Sequence, residues 1–147
     1  MKHIDKVYPK HPSPCNCMNM RRASRAVTQF YDEVLKPSGL TTAQLALLRH
    51  LELAEKATIS GLAKTMRIDR TTLNRNMKPL ADAGLIAINP GKDSRTREIM
   101  LTETGKAAVV SGWALWGEAQ ESLQEYMGEE DLAKLNQLLA KLEALVP

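Results

Sequence analysis

The 147-residue chain is 44% hydrophobic and 25% charged, enough apolar material for a packed core and too much for wholesale disorder. With a net charge of +3, no apolar run near the roughly 20 residues that span a bilayer and two cysteines, it is neither a membrane protein, a disulfide-stapled secreted domain nor a coiled-coil rod. The opening residues carry Asp5 and no apolar block, so no secretory signal is readable, and a soluble, cytoplasmic protein with reduced thiols is expected.

Residues 1–15 hold Pro9, Pro12 and Pro14 and predict a flexible, extended arm. From about Asn16, Met20, Ala23, Val27, Phe30 and Val34 recur at helical spacing, and Lys36-Pro37-Ser38-Gly39 ends that helix. Thr41-Thr42-Ala43-Gln44 is a capping box opening a second helix that carries Leu45, Leu47, Leu48 and Leu51. A third, short helix starts at Thr58 or Ser60 and buries Ile59, Leu62, Ala63 and Met66. Arg67-Ile68 is a tight turn, and Asp69 can cap a fourth helix running to about Ala83, bent at Pro79 and stopped by Gly84. Leu85–Ile88 and Glu98–Leu101 are strand-like and flank a turn-rich, cationic loop, which predicts a hairpin. A long helix from Thr102 to about Met127 carries Ala107, Val110, Ala114, Leu115 and Leu123 on its apolar side. A last helix spaces Leu132, Leu135, Leu139 and Leu142 by three or four, a broad stripe with little chain left to cover it.

A short helix, a tight turn, a second helix and a hairpin in that order form a winged helix-turn-helix, so the expected class is mainly α with a small β wing. At 100° per residue, Leu73, Met77 and Leu80 fall within about 60° of one another and face the core. Thr71, Arg75, Lys78 and Asp82 lie opposite, with Asn74 at the edge. These residue types donate to guanine O6 and N7, pair with adenine or hold phosphate. Arg70, nearer the core edge, is assigned a phosphate, and Thr72 is counted with the set. Lys92, Arg95 and Arg97 crowd three cations onto the hairpin, which packing does not require and a narrow, negative minor groove does. Asp93 is read as orienting the arginine or capping the turn. Charge follows the same division: the net is +4 over residues 1–59, +5 over 60–97 and −6 over 98–147. A basic centre and an acidic, leucine-rich tail imply two surfaces with different partners. No Gly-rich phosphate loop, catalytic triad, paired acids or zinc spacing is present, so neither an enzyme nor a cofactor is expected. A winged helix used for protein contact alone is the competing function.

The stretches Leu62-Ala63-Lys64-Thr65-Met66-Arg67-Ile68-Asp69-Arg70-Thr71-Thr72-Leu73, Leu80-Ala81-Asp82-Ala83-Gly84-Leu85-Ile86, Asp93-Ser94-Arg95 and Leu101-Thr102-Glu103-Thr104-Gly105 closely resemble the MarR family of bacterial and archaeal regulators. The resemblance runs from about Asn16 to Leu145, and Arg67 stands where many members carry glycine. It implies a homodimer in which residues 16–38 and 103–147 form a helical dimerisation domain, residues 39–102 being the DNA-binding domain. It further implies that two winged helices read a pseudo-palindromic double-stranded operator, with repression relieved by a small ligand or by oxidation.

Sensor residues are less sharply marked. Cys15 and Cys17 lie where the arm enters the first helix, followed by Arg21, Arg22 and Arg25, a setting that can lower a thiol pKa. Three uses stay open for them: redox sensing, as in some MarR-like regulators with a cysteine near the first helix; metal binding helped by His3 or His11; and no reactive role. The pair lacks a recognisable metal-ligand spacing, so no metal is assigned. Trp113 and Trp116 are either core or, as the resemblance implies, the floor of a pocket for a phenolic effector. Arg25, Tyr31 and His50 are carried as further candidate lining residues.

Overall fold

A computed structural model describes residues 2–93 and 95–147; Met1, the first residue of the arm, and Ser94, the middle residue of Asp93-Ser94-Arg95, lie outside the described residues. The arm is extended up to the first helix, α1 (Asn16–Leu35), which passes through a 3-10 turn at Lys36–Ser38 into α2 (Thr42–Ala54). The capping box is present at the start of α2: Thr41 Oγ1 accepts from the Gln44 N–H at 3.2 Å, and Gln44 Oε1 accepts from the Thr41 N–H at 3.0 Å. Next come β1 (Lys56–Thr58), α3 (Ile59–Met66), α4 (Arg70–Asp82), β2 (Ile86–Pro90), β3 (Arg97–Leu101), α5 (Glu103–Met127) and α6 (Glu129–Glu143).

The sheet has three antiparallel strands in the order β1-β3-β2, one more than the sequence predicts. Lys56↔Met100 and Thr58↔Glu98 register β1, while Ile86↔Leu101 and Pro90↔Arg97 register the hairpin. A three-residue strand shows no alternation of its own, and β3 supplies the missing ladder. Arg97 is consequently the first residue of β3, paired with Pro90 at the loop end of the hairpin, and not part of the loop itself.

The core gathers on α2. Leu47, Leu48 and Leu51 are fully buried there, against Leu62 and Ala63 of α3, Leu73, Met77 and Leu80 of α4, Ile86, Ile99, and Val109 of α5. A satellite cluster of Tyr31, Val34 and Ala119 joins α1 to α5. The buried side of α5 is Gly105, Val109, Gly112, Ala119 and Ser122, whereas Val110, on the predicted stripe, is 71% exposed. Small residues decide this face: a Cβ at Gly112 would press on the Leu45 and Leu40 side chains, so α5 seats its narrow side on α2. α6 buries no residue at all.

Two local devices set the helix-turn-helix angle. Arg67 closes α3 in the left-handed region, at φ 57° and ψ 44°, a conformation that strains a side chain by about 1–2 kcal/mol and that glycine adopts freely. Its N–H still reaches the Ala63 and Lys64 carbonyls, and its guanidinium pairs with Glu143 of α6 at 3.1 Å. Asp69 caps α4 by accepting from the Thr72 N–H at 2.7 Å and from the Thr72 hydroxyl at 2.8 Å. Those bonds, the backbone one first, hold the Asp69 carboxyl below its ordinary pKa.

The start of α5 is locked onto the end of the α4–β2 turn. Thr102 accepts from the Gly105 N–H at 3.0 Å and donates its hydroxyl to the Gly84 carbonyl at 2.6 Å, and its own N–H reaches the Leu85 carbonyl at 3.1 Å. A Cβ on Gly105 would collide with that Leu85 carbonyl, so the backbone approach requires glycine. Gly105→Ala is therefore expected to destabilise the fold by about 1–3 kcal/mol. Gly117→Ala, in the same helix with open space around it, should stabilise by up to about 1 kcal/mol; urea titration of both variants checks the contrast. A second expectation concerns Asp69. Because its folded-state pKa is depressed, its stabilisation is complete above the ordinary carboxylate range and is lost as pH falls through the folded value. Asp69→Asn keeps a capping oxygen without the charge, so the parent should melt higher than this variant near neutrality. The gap should close on acidification below about pH 4, as thermal melts across that range would show.

Candidate nucleic-acid interface

α4 turns its apolar edge inward and leaves a polar face open. Leu73, Met77 and Leu80 are buried, while Arg70, Thr71, Asn74, Arg75, Lys78 and Asp82 are exposed. Thr72 is half-buried, and its hydroxyl is committed to the Asp69 cap. Lys78 shares its charge with Asp82 one turn on, at 3.3 Å, which leaves Arg70 and Arg75 as the cations of this face with no carboxylate within ion-pair distance among the described residues. Two cations, a hydroxyl and an amide are thus presented on the first two turns of the helix. Pro79 comes only after them and lacks the N–H that would bond back to Arg75.

The wing is a short-looped hairpin closed from within. The Gly91 N–H donates to the Thr96 carbonyl at 2.8 Å, and the Thr96 N–H and hydroxyl donate to the Asp93 carbonyl at 3.0 Å each. The Asp93 carboxylate accepts from the Arg95 N–H at 3.1 Å. Asp93 therefore acts on the backbone of the turn and sets where Arg95 leaves it. Lys92, Arg95 and Arg97 are all exposed. Helix face and wing thus carry fixed backbones and solvent-facing cations, the arrangement that positions a protein on phosphate while side chains reach base edges.

The sensor candidates are dispersed. Cys15 is the residue preceding α1, in extended conformation, Cys17 lies in its first turn, and both are exposed. His3 lies 3.6 Å from Glu118, which also pairs with Lys2, and His11 lines an open cleft between arm and α1 beside Lys10 and Arg22. Among the described residues no three His, Cys, Asp or Glu side chains come together to hold a metal ion.

Trp113 and Trp116 stack at 4.2 Å between ring centroids and 14° between planes, and the Arg49 guanidinium lies over Trp113 at 4.5 Å. Trp116 packs on both core clusters, whereas Trp113 is 38% exposed. The pair is thus half core and half surface. Tyr31 is brought into the same cluster as Trp116; its hydroxyl donates to Gln120, and burial pushes its pKa up. His50 instead turns back on its own helix, with Nδ1 2.7 Å from the Ala46 carbonyl, and Arg25 stands exposed on α1. Arg49 and Gln120 are the neighbours that sequence reasoning misses: each sits on a different helix from its aromatic partner, and no local spacing links them.

Comparison with known proteins agrees with this geometry. The sequence model of the MarR family matches residues 38–95. The crystal structure of the M. tuberculosis transcriptional regulator MosR in complex with DNA is 35% identical, covers 87% of this chain and 98% of its own, and superposes with a TM-score of 0.72. A second crystal structure of M. tuberculosis MosR is 34% identical, with 88% and 98% covered and a TM-score of 0.71. A cysteine-to-serine mutant of E. coli MarR complexed with operator DNA is 25% identical, with 84% and 89% covered and a TM-score of 0.75. No described helix is long and apolar enough to cross a membrane. The chain belongs to the MarR family and is a winged-helix transcriptional regulator, not an enzyme.

Proposed function

We propose that this protein is a homodimeric repressor that binds a pseudo-palindromic double-stranded operator and is released by a small ligand or by thiol oxidation. The observation that carries the DNA reading is the pair of exposed cationic devices, each on a hydrogen-bonded backbone. These are Arg70 and Arg75 on the open face of α4, and Lys92, Arg95 and Arg97 on a wing whose turn Asp93 holds in place. That relatives of 35% and 25% identity were crystallised on DNA supports it.

In this reading α4 enters the major groove. Arg75, Asn74, Thr71 and Lys78 address base edges, Arg70 lies towards phosphate, Thr72 belongs to the set through the Asp69 cap that it holds, and the wing reaches the adjacent minor groove or backbone. The half-exposed Trp113 capped by Arg49, with Trp116 and Tyr31 beneath, supports an aromatic effector site, and the two exposed thiols at the head of α1 support an oxidant-responsive one. The uncovered leucines of α6 support residues 16–38 and 103–147 as the dimerisation domain and residues 39–102 as the DNA-binding domain.

Arg95→Ala is expected to weaken binding to all duplexes alike and to lower the slope of log affinity against log salt by about 1 per site. Arg75→Ala should instead relax base preference, at about 1–3 kcal/mol of discrimination. Fluorescence anisotropy on a footprinted operator and a scrambled duplex, over a salt series, separates them. Parental behaviour in both variants would remove these contacts and favour a winged helix that binds protein. Peroxide or hypochlorite should release the operator from the parent and not from the Cys15→Ser, Cys17→Ser double variant. Equal release from both takes the cysteines out of the mechanism, leaving a phenolic ligand panel to reveal the effector.

A further inference from the structure

The sides of α1 and α6 that face away from the core are uncovered. Met20 and Val27 of α1 are each 43% exposed, and Leu138 and Leu139 of α6 are 48% and 45% exposed. Around these apolar faces, charge is segregated by sign. Residues 6–31 hold Lys6, Lys10, Arg21, Arg22 and Arg25 and no carboxylate; residues 107–133 hold six carboxylates, from Glu118 to Asp131, and no lysine or arginine.

Within one chain Lys2 and His3 of the arm reach Glu118, whereas the α1 arginines of the basic block pair with no carboxylate among the described residues. Tyr31 faces α5, where its hydroxyl finds Gln120. At 100° per residue Arg21, Arg22 and Arg25 lie about 80°, 180° and 120° round α1 from Tyr31, so they turn away from α5. None of the three makes an ion pair among the described residues. At the α5–α6 corner an open cleft of about 430 Å³ is lined by carboxylates and amides, Glu121, Gln124 and Glu129 among them, with no lysine or arginine among the described residues of its wall.

We propose that a second copy of this chain covers these faces in a register set by charge, the arginine block of each α1 lying on the acidic α5–α6 corner of the other copy. This inference rests on the homodimer reading above and specifies its contacts. Apolar burial supplies the affinity but is non-directional. Opposite charge selects the pairing and opposes a slipped or parallel one. A two-fold axis makes the contact reciprocal, so each dimer contains it twice.

Charge exchange tests this directly on the full chain. One variant carries Arg21→Glu, Arg22→Glu and Arg25→Glu; the other carries Glu121→Lys, Glu129→Lys and Glu130→Lys. By sedimentation velocity at about 50 mM salt, where surface charges interact strongly, each variant alone should dimerise about tenfold or more weakly than the parent. An equimolar mixture should recover parental affinity as a one-to-one heterodimer, because both contacts then regain opposite charges. The parent dimer should itself weaken on raising salt to about 500 mM, a readout that stands even where a variant fails to fold. Homodimers of unchanged strength, a mixture that gains nothing, or a salt-independent parent each overturn the register while leaving a dimer. A parent that is monomeric throughout overturns the dimer reading with it. Loss of duplex affinity in the arginine variant with dimerisation unchanged would give the basic block to DNA instead.

Discussion

The Leu85 carbonyl is the point on which the molecule's geometry turns. It accepts the Thr102 N–H at 3.1 Å and lies so close to Gly105 that a side chain there would force the two backbones apart, while the Thr102 hydroxyl reaches the Gly84 carbonyl at 2.6 Å. The end of α4, the first wing strand and the first turn of α5 are thereby fixed to one another by backbone contacts, not by long side chains. The Leu-Thr-x-x-Gly run is thus explained by mechanics: a packed leucine, a cap that also bridges, and a glycine where two backbones meet.

Much of this was legible in the residues because it is local. Thr41 and Gln44 cap each other three residues apart, Asp69 caps its own helix, Gly84 takes the left-handed conformation after α4, and the inner edge of α4 follows from a 100° rotation. What depends on distant partners was not legible. Lys56-Ala57-Thr58 becomes a strand only because β3 passes beside it, and Arg97 joins a strand because the hairpin pairs as far as Pro90. The inner side of α5 was misjudged at Val110 because hydrophobicity was weighed where fit decides: Gly105 and Gly112 are inside for being small. The site follows the same division. The cations of α4 and the wing could be named from the pattern, whereas Arg49 over Trp113 joins two helices far apart in sequence.

Rigidity is concentrated where recognition would need it. The wing turn is tied by hydrogen bonds of Asp93 and Thr96, so Arg95 starts from a defined backbone position, and α4 begins at a cap that engages both backbone and hydroxyl of Thr72. Pre-set donors lose less freedom on binding than mobile ones. Arg67 is the exception in that region, a strained residue in place of glycine, and its exposed pair with Glu143 links the helix-turn-helix to α6. Such a surface pair contributes little energy by itself.

The stacked indoles carry a practical consequence. The chain has only two tryptophans, and both stand in one pile under a guanidinium at the seam between α2 and α5. Tryptophan emission, excited apart from the three tyrosines, therefore comes from a single spot that is part sheltered and part wet. The protein is thus equipped with a built-in optical gauge of that seam, readable without any attached dye.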